Sequence, residues 1–289
     1  MDIFIVGAQK SGTTSLLRYL SEHPEIVGHS QMEMSYFSRD QDYRAGYAKA
    51  FRTHFGRHFL GKRKLLAKNA TVCSSEEAIR RLSVHNPNCQ LILLIRNPVE
   101  RAYSSYLMEV SAGSEVEPFD KVARAAVESV EEGQQNWRAD IYLELGMYAQ
   151  HLEMIFKYFR RDAVKIVSFD ELRDQTLRTV QDIFGWLEVN NSFVPNVAIK
   201  HNSTSKPKSW RYARLLLRLL QEGNVIKETA RKFIPGAHTQ KIGVLVRQLN
   251  RSGVRFPEMS DATRLYLSSF YAPYNGRLTD YTQIDISRW

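Results

Sequence analysis

The sequence predicts an α/β protein built on a central parallel sheet flanked by helices. Three observations lead there. Short apolar runs at 2–7, 90–96 and 163–169 ("DIFIVG", "QLILLIR", "AVKIVSF") have the length of buried strands. The stretches between them carry apolar residues at helical spacing, so strands and helices alternate along the chain. The first strand also passes through a glycine-bearing turn straight into a helix, in "FIVGAQKSGTTSLLRYL" at 4–20.

Taken in order, "DIFIVG" is a strand and 13–23 a helix, closed by Pro24. A polar, aromatic segment covers 30–55. "RKLLAKNA" (63–70) reads as a strand ending in polar residues, and 74–85 as a helix with serine at its start. "QLILLIRNP" (90–98) is the clearest buried strand, followed by a helix over 99–110. Residues 111–140 are less regular and read as a mobile cover. An amphipathic helix covers 147–159, a strand and its exit 163–172, and a helix 179–189. Repeats, low-complexity tracts and clean linkers are absent from the sequence, so 1–289 reads as one domain.

A chain of 289 residues can bury a substantial core, and its 43% hydrophobic and 25% charged residues are ordinary for a globular protein. The longest apolar runs, "LILLI" at 91–95 and "LLLRLL" at 215–220, fall far short of the roughly 18 to 20 residues that span a bilayer. "MDIFIVG" has no signal-peptide pattern. Cys73 and Cys89 are the only cysteines, and the eight histidines form no H-E-x-x-H, so neither a disulfide scaffold nor a zinc site is expected. These features predict a metal-free enzyme in the reducing cytoplasm.

The net charge of +9 is unevenly spread: residues 200–255 hold 13 Lys/Arg against 2 Asp/Glu. Such a block suits an anionic partner, or else forms a solvated basic face. Within it, "SWRYARLLLRLL" (209–220) sets Arg211, Arg214 and Arg218 on one helical face. The region 206–232 could therefore rest on an anionic membrane or a polyanion. Packing of its leucines into the core is the other reading.

The loop after the first strand resembles a Walker A phosphate loop with its lysine displaced. Gly7 and Gly12 keep the G-x-x-x-x-G spacing, but Thr13 occupies the lysine position and Lys10 lies inside the loop. A turn that opens a helix offers unpaired N–H groups and the positive end of the helix dipole. Gly12 allows close backbone approach, and Ser11, Thr13, Thr14 and Ser15 add hydroxyl donors. With Lys10 two positions before the second glycine, the charge meets a different part of the bound anion. The sequence also shows no obvious Asp after an apolar strand to hold Mg²⁺ as in P-loop NTPases.

"GAQKSGTTSLLRYL" resembles the 5′-phosphosulfate-binding loop of sulfotransferases that use 3′-phosphoadenosine 5′-phosphosulfate (PAPS). "IRNPVERAYSSY" (95–106) resembles the second signature of that family, R-N-P-x-x-R-A-x-S. The two motifs stand in the family's order about 80 residues apart, each at a strand-to-helix junction. The resemblance covers 1–190 in outline and is nearest the glycan-type branch, which includes heparan sulfate sulfotransferases and many bacterial members. It implies a P-loop-kinase-like three-layer fold and PAPS as donor, with no metal. It also implies that Lys10 assists the leaving group, residues 10–15 bind the 5′ end, and Arg96 with Ser104 binds the 3′-phosphate. The physical reading agrees. Arg96 stands at the C-terminal end of a buried strand, where ligands collect, and can grip a phosphate with two donors. Pro98 can open the next helix, and Ser104 lies about two turns into it. Arg101, close by, reads as a structural ion-pair partner.

The same resemblance assigns the acceptor side. "EMSYF" (33–37) matches the family's E-x-x-F-F with Tyr36 for the first Phe, which makes Glu33 the general base. A plain surface glutamate is the alternative, and His85 ranks second as base by analogy with the histidine of the small-molecule branch. Lys68 in "AKNA" partly matches an E-K-[ST]-P-x-Y segment near the acceptor. Two late basic segments are candidates to close over the nucleotide: "HNSTSKPKSWR" (201–211), which carries Lys206 and is preferred, and "NRSGVRFPEM" (250–259). The expected acceptor is a hydroxyl, or less readily an amine, of a carbohydrate, glycolipid or small metabolite, with no nucleic-acid partner. A small-molecule kinase using ATP-Mg²⁺ and a non-catalytic polyanion-binding protein are the rival readings. The oligomeric state is not encoded legibly.

Overall fold

A computed structural model describes residues 1–198 and 258–289, apart from 32, 57–62, 113, 116 and 288. Lys206, the segments 201–211 and 206–232, and 250–257 of the second late candidate lie outside the described residues.

Five strands form one sheet in the order β2-β3-β1-β4-β5: β1 (Ile3–Gly7), β2 (Ile26–Gly28), β3 (Lys64–Lys68), β4 (Gln90–Ile95) and β5 (Val164–Ser168). Every pairing is parallel, with Ile5 opposite Lys68 on one side and Ile92 on the other. The runs foreseen at 2–7, 63–70, 90–96 and 163–169 are therefore strands. β2 was not foreseen, because three residues are too few to show a period. β1 is buried at every position, as a central parallel strand covered on both faces must be.

Phe4 and Val6 point to one face, into a core with Phe37, Leu91, Leu93 and Leu152. Ile3 and Ile5 point to the other, against Leu16, Leu20, Ile183 and Phe184. This alternation sandwiches the sheet between helical layers. Fully burying one such side chain contributes on the order of 1.5–3 kcal/mol.

Among the described residues the helices are α1 (Thr13–Ser21), α2 (Asp40–Arg44), α3 (Tyr47–Phe55), α4 (Glu76–His85), α5 (Pro98–Ala112), α6 (Phe119–Glu131), α7 (Trp137–Tyr142), α8 (Tyr148–Ile155), α9 (Phe169–Asp174), α10 (Thr176–Trp186) and α11 (Asp261–Leu278). Ser75 caps α4 by accepting from Ala78 N, the serine start read from the sequence. The expectation of an irregular cover over 111–140 is corrected. Its acidic surface residues mask an apolar stripe, Val122, Ala123, Ala126 and Val127, which buries α6 against α5, α7 and α11. Likewise 30–55 holds α2 and α3. Of the described residues, no helix is long and apolar enough to cross a membrane.

The chain runs from β1 outward to β2, back to β3, and then crosses to β4 on the other side of β1. The order reverses between β1 and β4, so a ligand crevice is expected beyond the C-terminal ends of those two strands. Both sequence motifs sit there.

Candidate active site

The first motif is shaped by its close packing. A Cβ on Gly7 would come within 2.3 Å of Cys73 Sγ, so only glycine lets the 70–73 turn lie against the end of β1. Ala8 N then bonds Leu94 O across to β4 at 2.9 Å, and Ser11 N closes the turn on Ala8 O at 3.1 Å. Gly12, at φ 89°, caps α1 in the left-handed region and leaves no side chain over the helix end. The N–H groups of Gly12, Thr13 and Thr14 donate to no backbone carbonyl among the described residues. Ser11 is fully buried, and its hydroxyl lies beside Tyr148 without meeting a partner in hydrogen-bond geometry. Open amides, an idle buried hydroxyl and the positive helix end fit the phosphate end of a nucleotide.

Arg96 enters from β4. Its Nη1 donates to Lys10 O at 3.1 Å, which ties the two motifs together. Its guanidinium lies 4.6 Å from the centroid of the Phe169 ring at the start of α9, and that ring also packs 3.3 Å from where a Gly12 Cβ would stand. Tyr148 Oη donates to Arg96 O at 2.8 Å and accepts from Arg96 N at 3.3 Å, fixing the main chain beneath the guanidinium. Burial lowers the pKa of Lys10, and the nearby charges of Arg96 and Arg101 lower it further against a small opposing pull from Glu109. Burial likewise lowers that of Arg96. Clustered like charges in partly dry surroundings favour an anion among them.

The rest of the second motif builds α5. Asn97 Oδ1 accepts from Val99 N and Glu100 N, and Pro98 takes the first helical position. Ser104 is half-buried two turns along. Its neighbour Ser105, fully buried, reaches Gln9 of the loop at 3.4 Å, so this stretch of α5 abuts the anion loop. The ion pair expected of Arg101 is not formed. Arg101 is completely buried, donates to the carbonyls of Ile141 and Tyr142, and has no carboxylate within ion-pair distance among the described residues.

One strand away, β3 delivers Lys68. Lys68 Nζ donates to Glu33 Oε1 at 2.5 Å, while Ala70 N donates to Glu33 Oε2 at 3.1 Å. The aromatic pair after Glu33 is the reason the carboxylate stays outside: Tyr36 and Phe37 bury into the core, with Phe37 edge-on to Phe4 at 5.6 Å. Lys68 N donates to His29 Nε2 at 3.1 Å, and Asn69 Nδ2 secures Met34 O and Ser38 Oγ. Glu33 forms one wall of a cleft of about 500 Å³, shared with Ser35, Arg39, Lys49 and His54.

His85 does not belong to the site. Its Nε2 lies 3.4 Å from the Met1 amino group, at the opposite end of β1. A five-residue strand spans roughly 16 Å, which puts His85 at the wrong edge of the sheet. The structure thus brings Lys10, Ser11, Gly12, Thr13, Thr14, Ser15 and Arg96 to one crevice, places Ser104 on the stretch of α5 that abuts it, and sets Glu33 with Lys68 at the adjacent strand end. It adds Tyr148, Phe169, Ser105 and His29, which the sequence did not single out. Only the strand exit "SFDEL" (168–172) hinted at Phe169.

The model of the sulfotransferase domain family matches residues 1–240. Heparan sulfate glucosamine 3-O-sulfotransferase 6 of Homo sapiens is 31% identical over 185 residues, covering 63% of this chain and 51% of that protein. Bifunctional heparan sulfate N-deacetylase/N-sulfotransferase 1 of Caenorhabditis briggsae is 23% identical over 201 residues, covering 65% of this chain and 22% of that protein. The chain therefore spans about half or less of these relatives. The crystal structure of a sulfotransferase from Alicyclobacillus acidocaldarius matches with a TM-score of 0.69 at 22% identity, over 100% of this chain and 98% of the other, and shares the fold. With the family model matched over most of its length, the chain belongs to the sulfotransferase domain family.

Proposed function

We propose that this protein transfers a sulfuryl group from PAPS to a hydroxyl of a carbohydrate acceptor. The supporting observation is the convergence of Lys10 and Arg96 at the β1/β4 crevice, one strand from the Glu33–Lys68 pair. When bound, the donor supplies a sulfuryl group on a good leaving phosphate. Glu33 takes the proton from the acceptor hydroxyl as the acceptor oxygen bonds to sulfur. Lys10 and the open amides of 12–14 hold the phosphate oxygen that departs with the electron pair of the broken S–O bond. Arg96 together with Ser104 selects the 3′-phosphate, and Lys68 orients Glu33 toward the cleft. The reading requires no metal ion, because lysine and arginine supply the positive charge.

The cleft bordered by α2 and α3 offers hydroxyls, an amide and two cations, suited to a sugar ring rather than a flat apolar acceptor. We take residues 1–289 as one catalytic domain, since α11 near the chain's end packs on α5, α6 and α8. The unpaired, buried Cys73 and Cys89 accord with a cytoplasmic setting.

Calorimetric titration with adenosine 3′,5′-bisphosphate, ADP and ATP-Mg²⁺, repeated on Arg96→Ala, tests the donor. Micromolar binding of the bisphosphate, weak binding of ADP and loss in the variant are expected. Preference for ATP-Mg²⁺ would instead establish a kinase. Transfer of labelled sulfate from PAPS to a panel of mono- and oligosaccharides then tests the acceptor class.

A further inference from the structure

Arg101 is a feature that the proposed chemistry leaves unused. It begins the second turn of α5, five residues beyond Arg96, and none of its surface is exposed. Nη2 donates to the carbonyls of Ile141 and Tyr142, whereas Nε and Nη1 have no partner in hydrogen-bond geometry. Groups whose ionisation its charge influences include Lys10, Arg96, Cys73, Tyr148, His151 and Tyr271. Two of these are cations. Burial keeps the others neutral, raising the thiol and the phenols and pulling His151 down to about 4. A fully buried guanidinium with two nitrogens lacking partners, and no carboxylate within ion-pair distance among the described residues, is costly unless something else compensates it.

We infer that Arg101 is a positioning residue for the donor: a fixed positive charge beneath the anion loop whose counter-charges are the 5′-phosphate held by Lys10 and the 3′-phosphate held by Arg96. The inference rests on the proposed nucleotide site and assigns it a third cation that makes no contact with the ligand. The position fits this role. Asn97 and Pro98 fix the start of the helix that bears Arg101, Ile141 and Tyr142 hold its head, and Tyr271 from α11 bonds the carbonyls of Tyr142 and Leu143 behind it. The charge therefore cannot swing out to solvent or to a distant carboxylate. It acts across protein of low dielectric, where a unit charge several ångströms away remains strong. In the absence of donor, the same charge opposes protonation of Lys10, together with Arg96 and against Glu109.

Two substitutions separate charge from hydrogen bonding. Arg101→Gln keeps a donor for the carbonyls and loses the charge; Arg101→Lys keeps the charge and loses the fork. Calorimetry with adenosine 3′,5′-bisphosphate is expected to show binding at least about tenfold weaker for Arg101→Gln. Arg101→Lys should stay within about threefold of the unmodified protein. The pH midpoint for modification of Lys10 by an amine reagent, read by mass spectrometry, should rise in Arg101→Gln and not in Arg101→Lys. If Arg101→Lys binds as weakly as Arg101→Gln, or if the Lys10 midpoint does not move in Arg101→Gln, the role is structural and the inference falls. Should Arg101→Gln fail to fold by circular dichroism, the affinity of Arg101→Lys decides alone. Failure of the unmodified protein to bind the bisphosphate would overturn the donor assignment and this inference together. Normal binding with unchanged variants would overturn the inference only.

Discussion

Lys68 and Glu33 form an ion pair of 2.5 Å in which the lysine side chain is 1% exposed and the carboxylate 41% exposed. The pair bridges the core and the cleft. A buried cation anchored in β3 holds a carboxylate that still faces solvent, as a base for an incoming hydroxyl needs. Glu33→Gln should lower kcat by about 10²–10⁴-fold with bisphosphate affinity unchanged. Lys68→Met should give a smaller loss, and the double variant should lose little more than Glu33→Gln alone, since the lysine acts through the glutamate. Additive losses in sulfate-transfer assays would show that Lys68 meets the substrates independently.

Tyr148 contributes its hydroxyl to both backbone groups of Arg96. Tyr148→Phe keeps the buried ring and removes those bonds, at a net cost of about 0.5–1.5 kcal/mol in stability. The bisphosphate dissociation constant should rise severalfold as the guanidinium loses its fixed base. An unchanged constant in calorimetry would mean that stacking on Phe169 and the bond to Lys10 O suffice to orient Arg96.

What the sequence disclosed depended on how local each signal was. β1 and β4 are unbroken apolar runs, and Lys10 and Arg96 lie within a few residues of their ends, so motif and element were legible together. Glu33 was legible only by resemblance. Its position depends on Tyr36 and Phe37 turning into the core and on Lys68, 35 residues away, and no spacing rule encodes that contact. Tyr148 and Phe169 reach Arg96 from α8 and α9, positions that only the tertiary fold brings near. Arg101 was misjudged for a related reason. Its chain neighbour Glu100 pairs instead with Arg264 of α11, 164 residues further on, a contact that no local pattern encodes. α6 was hidden because charged residues are interspersed along it and half of its stripe is alanine, a weak apolar signal.

Gly12 combines a left-handed φ of 89° with Leu172 and Phe169 carbons 3.3 Å from where a Cβ would stand. Gly12→Ala should therefore cost about 1–2 kcal/mol from the backbone alone. The displaced Phe169 ring would also disturb Arg96. Thermal melting should fall by a few degrees and bisphosphate affinity should weaken, whereas Gly133→Ala, with open space around its Cβ, should change stability without touching affinity. Equal affinity in the two variants would refute the link between Gly12 and the nucleotide site.

His29 predicts how the protein responds to acid. Its Nε2 accepts Lys68 N at 3.1 Å, so the folded protein needs an unprotonated ring at that nitrogen. Burial, followed by the neighbouring His54, Lys68 and Arg18, pulls its pKa from 6.5 down to about 3. Between those values the unfolded chain binds a proton that the folded protein refuses, so stability rises with pH across the window and is lost on acidification. The loss is of the order of a few kcal/mol by pH 4, and it falls on the strand that carries Lys68. His29→Gln can offer its side-chain oxygen to the same N–H without titrating. Melting temperature followed from pH 7 to pH 4 should decline steeply in the unmodified protein and less steeply in His29→Gln. Parallel curves would assign the acid sensitivity to the other histidines whose pKa burial lowers, His54, His85 and His151, and not to the ring behind Lys68.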